Sequence, residues 1–290
     1  YTHGYGITMN RVNGFTPEGL PELILSNMPV QSTVDAIKVT RPEIYFGELT
    51  NRYVYVKTKQ NEFDYPQGDT YTLTTYEGTG GIPIGNRFRR MLIAWGVGDL
   101  SKLPFSNDVT SESRVLINRN IRQIVNGVAP FLTYDRDPYV VVDNEGRLFW
   151  IMDAFTQSPY YPYSTHHNVD GNSINYIRNS VKVVIDAYNG TTRFYVFDSQ
   201  DSIIAAYRRI FPNLFLDANQ MPADLRAHLR YPEDLFTAQN QTALVYHLPA
   251  AVQWLQTGRL GLFPTSGIGE GWFSFVLPGL VLASLSLAYV

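Results

Sequence analysis

The chain has 290 residues, 44% hydrophobic and 17% charged, with a formal net charge of -3 and no cysteine. That length holds one large domain or two small ones, and the missing cysteine excludes disulfides, Cys-ligated zinc, iron–sulfur clusters and thiol catalysis. The weak net charge provides no electrostatic footprint for nucleic acid and no polybasic membrane patch.

The first residue is Tyr with no initiator Met before it, so the chain is expected to be a fragment. Residues 42–58 read as two strands around Leu49-Thr50-Asn51, and 69–78 as another, from their Tyr, Val and Thr content. GTGGIPIG, 78–85, is a glycine-rich loop before a helix over 86–96. A Walker loop ends in Gly-Lys-Ser/Thr, whereas Gly85 is followed by Asn86-Arg87. An anion reading therefore rests on Arg87, Arg89 and Arg90 alone, which equally form a solvated face. Val115, Ile117, Ile121, Ile124, Val125 and Val128 predict one helix across 111–131, capped by Thr110 and stopped near Gly127.

A hairpin follows at 139–153, with Gly146 at the left-handed position of a three-residue loop. Residues 157–173 read as a long polar loop rich in Tyr and Pro. The next hairpin, 181–198, turns at Asn189-Gly190, which suits a two-residue type I′ turn because both central residues take positive φ. That register sets Asp186 opposite Arg193 as an ion pair. It also makes a sheet apolar on one face, through Val181, Val183, Ile185, Ala187, Phe194 and Val196. Helices are predicted at 201–211, ended by Pro212, at 222–230, with Pro in its first turn, and at 232–248. The uncharged run 271–290 has the length of a bilayer-spanning helix, with Trp272 and Tyr289 near its ends. The alternatives are a buried core helix or a strand pair broken at Pro278-Gly279.

The pattern assembles no chemistry. The histidines, His3, His166, His167, His228 and His247, have no metal-ligand spacing, and there is no Gly-x-Ser-x-Gly elbow. No catalytic residue, metal ligand or cofactor is assigned. Two groups are ligand-binding candidates. Asp135 and Asp137 flank Arg136, and Asp153 ends the 139–153 hairpin. Converging carboxylates can divide acid and base roles, whereas an arginine between two of them makes a self-neutralising turn. Tyr160, Tyr161 and Tyr163 are amphipathic anchors in the 157–173 loop.

Six long stretches carry more than these patterns: YTHGYG, FTPEGLPELIL, PEIYFGELTNRYVYVKTKQNEFDYPQGD, RDPYVVVDNEGRLFWIMDAFT, NYIRNSVKVVIDAYNGTTRFYVFD and MPADLRAHLRYPEDLF. Together, over about residues 1–248, they resemble an uncharacterised family of bacterial integral membrane proteins. The resemblance implies transmembrane helices upstream and a large extracytoplasmic domain containing this segment, in a multi-pass protein of the cell membrane. It implies the lipid bilayer as a partner through segments outside this chain, and an envelope ligand or protein as a second. It implies no activity and no site residue. After His247 the sequence departs from the family, leaving 249–270 as a linker and 271–290 as an apolar tail.

The expected fold is α+β, with antiparallel hairpins and sheets and short peripheral helices over 1–248, divisible near 130–138. Two functions stay open: a binding, scaffolding or envelope-maintenance module, and a carboxylate-dependent envelope hydrolase acting on glycan or peptide.

Overall fold

The computed structural model describes residues 1–164, 166–169 and 171–235. Most of the helix predicted at 232–248 lies outside the described residues, as do the linker and the apolar tail. No helix of the described residues is long and apolar enough to cross a membrane. The chain forms two units, Tyr1–Ser158 with Tyr176–Arg230, and Pro159–Asn175 with Tyr231–Val290.

The first unit opens with β1 (Gly4–Tyr5). Next comes a three-stranded antiparallel sheet of β2 (Met9–Phe15), β3 (Pro21–Ser26) and β4 (Gln31–Ser32). β5 (Glu43–Ile44) pairs with β1 and sets Tyr5 opposite Glu43. β6 (Val54–Val56) precedes the hairpin of β7 (Glu62–Gln67) and β8 (Thr70–Thr74). Then come β9 (Ile82–Pro83), α1 (Arg87–Val97), β10 (Arg114–Leu116) and α2 (Ile121–Val128). β10 lies between β6 and β9.

The largest sheet is built from β11 (Thr133–Tyr134), β12 (Tyr139–Val142) and β13 (Leu148–Ser158) with strands that follow the second unit. In that unit β14 (His167–Val169) and β15 (Asn172–Ile174) form a small hairpin inside the segment predicted as a loop. The sheet continues with β16 (Tyr176–Asp186) and β17 (Thr192–Val196). α3 (Ser202–Ile210) then returns the chain to β18 (Phe215–Asp217), parallel to β17, and α4 (Ala223–Ala227) follows. The fold is α+β, and among the strands named here every pairing but that last one is antiparallel.

This sheet is buried on both faces, which corrects the one-sided expectation. Val181, Val183, Ile185, Phe194 and Val196 pack against Ile121 and Val125 of α2 and Ile204 of α3. Val184, Tyr195 and Ile151 pack on the opposite face against Met221 and Leu225. At about 1.5–3 kcal/mol per buried large apolar side chain, both faces contribute to the core. Alternation in β16 fails as a guide because Lys182, at a polar position, is itself buried, with its ammonium on Asp153.

The turn after β16 is wider than the type I′ expectation. Val184, not Asp186, lies opposite Arg193. Asp186 caps the turn, accepting hydrogen bonds from Tyr188 N at 2.8 Å, Asn189 N at 3.0 Å and Asn189 Nδ2 at 3.1 Å. Only Gly190 of the Asn-Gly pair has positive φ, +73°. The register moves by two residues, so every side chain keeps its face. The wider loop lets Tyr188 reach the rings of Tyr45 and Tyr76, with centroids at 5.2 and 4.9 Å.

The single helix expected over 111–131 is a strand followed by a helix. Val115 pairs opposite Tyr55 in β6, and α2 starts at Asn120, whose side chain accepts from Arg122 N and Gln123 N. The glycine-rich loop has a packing role. A Cβ on Gly80 would meet Asn189 O at 2.4 Å. Arg114 clamps the loop by donating to Thr79 O, Gly80 O and Gly81 O at 2.6–2.8 Å. Asn86 caps α1 through Phe88 N and Arg89 N, so its own side chain occupies the helix start.

Candidate functional site

Asp135 and Asp153 come together: both are 2% exposed, and Asp135 N donates to Asp153 O at 2.9 Å on the adjacent strand. Asp153 accepts from Lys182 Nζ, and from Asn179 Nδ2 at 3.0 Å. Asp135 accepts from Asp137 N at 2.9 Å. Asp137 is at the surface, ion-paired with Arg230 at 2.5 Å. The self-neutralising turn thus draws its cation from Arg230, 93 positions away, rather than from Arg136 alone. Asp137 and Asp153 are thus both engaged by cationic side chains.

Tyr160, Tyr161 and Tyr163 lie in the second unit and are exposed. Tyr161 is fixed through its backbone, donating to Asn175 Oδ1 at 2.9 Å and accepting from Asn175 Nδ2 at 2.8 Å. That loop is tied by Asn175.

A different place has the character of a site. Six buried side-chain polar atoms among the described residues lack a hydrogen-bond partner, and four belong to Thr2, His3, Glu43 and Asp64. His3 is 8% exposed. Its ring lies tilted against Tyr45, centroids 4.8 Å apart, and its Nδ1 lies 3.0 Å from Gly4 O. A carbonyl only accepts, so Nδ1 carries the proton, and in the neutral ring Nε2 presents a lone pair. That nitrogen faces Asp64 Oδ1 at 4.0 Å. With the ring neutral and the carboxyl ionised, two acceptors confront each other with no donor between them.

The surroundings hold this pair in place. Tyr45 Oη donates to Glu62 Oε2 at 2.9 Å. Buried Arg119 donates to Tyr45 O, Arg52 O and Thr2 O at 2.7, 3.0 and 2.5 Å. Burial lowers the Arg119 pKa to about 10. Burial raises the carboxyls of Asp64 and Glu43 above the usual carboxylate range; the protonated form of His3 partly offsets both, and Asp64 adds to the rise at Glu43. Tyr5 is pushed up to about 12 by burial and by the charges around it. A buried carboxyl oxygen without a donor is costly, so Glu43 Oε2 and Asp64 Oδ1 mark a place where a ligand has something to satisfy.

Above His3 and Asp64 opens a cleft of about 500 Å³ walled by Tyr5, Phe63, Tyr65 and Tyr71. In a regular strand Phe63 and Tyr65 would turn away from Asp64. The β7–β8 register shifts between Phe63 and Pro66, and all three residues line the cleft. Such irregularities re-aim side chains beside binding sites. The volume lies in the range of small-molecule sites.

A second cleft, of about 180 Å³, contains Asp143, Asp186 and Asp224. There each carboxylate serves a turn. Asp143 accepts from Glu145 N and Arg147 N, and Asp224 from Asn144 N and Leu225 N, at 2.8–3.2 Å. Satisfied acceptors separate that cleft from the one at His3. No group of three or more His, Asp or Glu among the described residues is placed to hold a metal ion.

Residues 1–266 match the family described as "Uncharacterised protein family (UPF0182)". The chain belongs to UPF0182. A UPF0182 protein of Desulforamulus reducens is 46% identical over 270 residues, covering 93% of this chain and 28% of that protein. One from Alkaliphilus metalliredigens is 50% identical over 248 residues, 86% of this chain and 26% of its own length. One from Geobacter sp. strain M21 is 48% identical over 267 residues, 92% and 29%. The chain therefore spans under a third of these UPF0182 relatives. No solved structure matches it.

Sequence reasoning passed over His3, Glu43 and Asp64. His3 stands in YTHGYG without a ligand-spaced partner, and Asp64 in EFDYP looks like one polar position of a strand. The usable signal was Pro66, since proline inside a strand pattern marks an edge or a bulge.

Proposed function

We propose that this UPF0182 domain is a ligand-binding module of a membrane-anchored bacterial envelope protein, displayed outside the cytoplasmic membrane. One observation carries the binding role: the tyrosine-walled cleft is also lined by His3 and Asp64, whose Nε2 and Oδ1 are buried without a hydrogen-bond partner. Aromatic walls supply contact area at low ordering cost, and a few polar groups at the floor orient the ligand. The uncharged run 271–290 and the much greater length of the relatives support anchoring by segments beyond this domain. The hydrolase reading has less support, because Asp153 and Asp137 are engaged by Lys182 and Arg230.

The test is native mass spectrometry of the chain after incubation with enzymatically released cell-wall fragments and polar envelope extract. A retained small molecule, lost in Tyr65→Ala and kept in Tyr160→Ala, is the expected result. Retention that survives Tyr65→Ala removes the cleft from the account. Protease digestion of the domain in intact spheroplasts tests its side of the membrane; resistance until lysis contradicts the placement.

A further inference from the structure

We propose that the cleft binds a primary ammonium group, held between His3 and Asp64 and covered by the tyrosine rings. This names the ligand chemistry of the site above and rests on that reading.

With Nδ1–H committed to Gly4 O, the neutral His3 ring offers only an acceptor at Nε2. Asp64 Oδ1, 4.0 Å away, is an acceptor too, and so is Glu43 Oε2 on the neighbouring strand. A ligand hydroxyl brings one donor and a carboxylate none, whereas an ammonium brings three. Acceptors 4.0 Å apart can both lie about 2.9 Å from a single nitrogen.

Charge and rings agree with this. No lysine or arginine is among the residues lining the cleft. Tyr5 and Tyr65 pack against each other in the wall, with ring centroids 4.8 Å apart, and Phe63 and Tyr71 continue it. Aromatic faces attract cations, more strongly when the site is desolvated. Burial disfavours the Asp64 carboxylate and a bound cation offsets that, so binding draws the carboxyl into its charged form.

The test uses the whole chain labelled with 15N-histidine, above the imidazole titration range, titrated with ethylammonium and separately with ethanol. The expected result is a saturable shift of one Nε2 resonance with ethylammonium and none with ethanol. His3→Gln assigns that resonance by removing it. Asp64→Asn should weaken the response about tenfold, as loss of one charge-assisted hydrogen bond does, and Asp64→Glu should restore part of it. Equal responses to ethylammonium and ethanol overturn the proposal, as does an ethylammonium response unchanged in folded Asp64→Asn. Envelope fragments retained through Tyr65 without any ethylammonium response overturn the ammonium assignment and leave the binding module standing. A chain that takes up neither overturns both.

Discussion

At the residue scale, two carboxylates in similar sequence settings do different work because of what their oxygens meet. Asp186 is satisfied by three donors of its own turn, and Asp64 has an oxygen with no donor. The contrast makes a prediction for the 181–198 hairpin. Asp186→Ala should destabilise the chain by about 1–3 kcal/mol in urea unfolding, because it orphans turn amides. Arg193→Ala should change stability by less than about 0.5 kcal/mol, and the double-mutant coupling should be of the same small size. A coupling well above that value would restore the pairing the sequence suggests. The error of register has a physical source. An Asn-Gly pair states that a turn is near but not how wide it is, and burial of Tyr188 beside Tyr45 and Tyr76 decides the width.

At the element scale, α3 is tied to the large sheet by one buried acid. Asp201 caps the helix through Ile203 N at 3.0 Å. It also accepts from Thr156 Oγ1 at 2.5 Å, Ser180 Oγ at 2.6 Å and Tyr176 Oη at 2.6 Å, on β13 and β16. Burial alone would raise its pKa, and the hydrogen bonds from Ser180, Thr156, Tyr176 and Ile203 together outweigh burial and lower it. A carboxyl lowered by folding stabilises the native state above its unfolded pKa, about 3.9, and that stability is lost as pH falls through the folded value. Chemical unfolding as a function of pH should therefore show a loss below about pH 4 that is smaller in Asp201→Asn. Asp201→Ala should cost roughly 2–4 kcal/mol at neutral pH. An acid limb unchanged in Asp201→Asn would refute the role. Elements were legible where a proline marked an end, as at Pro212 after α3. They were misread where apolar spacing fits both periods, as at Val115 and Ile117 before the Asn120 cap.

At the scale of the whole molecule, the α+β class followed from frequent turns and β-branched runs, and both hairpins of the large sheet lie where the sequence puts them. The site was not legible. His3, Glu43 and Asp64 are as many as 61 positions apart, and the β1–β5 pairing and the β7 irregularity that gather them depend on tertiary packing. The predicted acids lie near one another, but Asp153 and Asp137 already have cationic partners. The account therefore places function on the rings of Tyr5, Tyr65 and Tyr71 rather than on those of Tyr160, Tyr161 and Tyr163. The most direct measurement is 19F NMR of the chain labelled with 3-fluorotyrosine, with resonances assigned by Tyr→Phe substitution, on addition of enzymatically released cell-wall fragments and polar envelope extract. Shifts confined to Tyr5, Tyr65 and Tyr71 are predicted; shifts confined to Tyr160, Tyr161 and Tyr163 would contradict it.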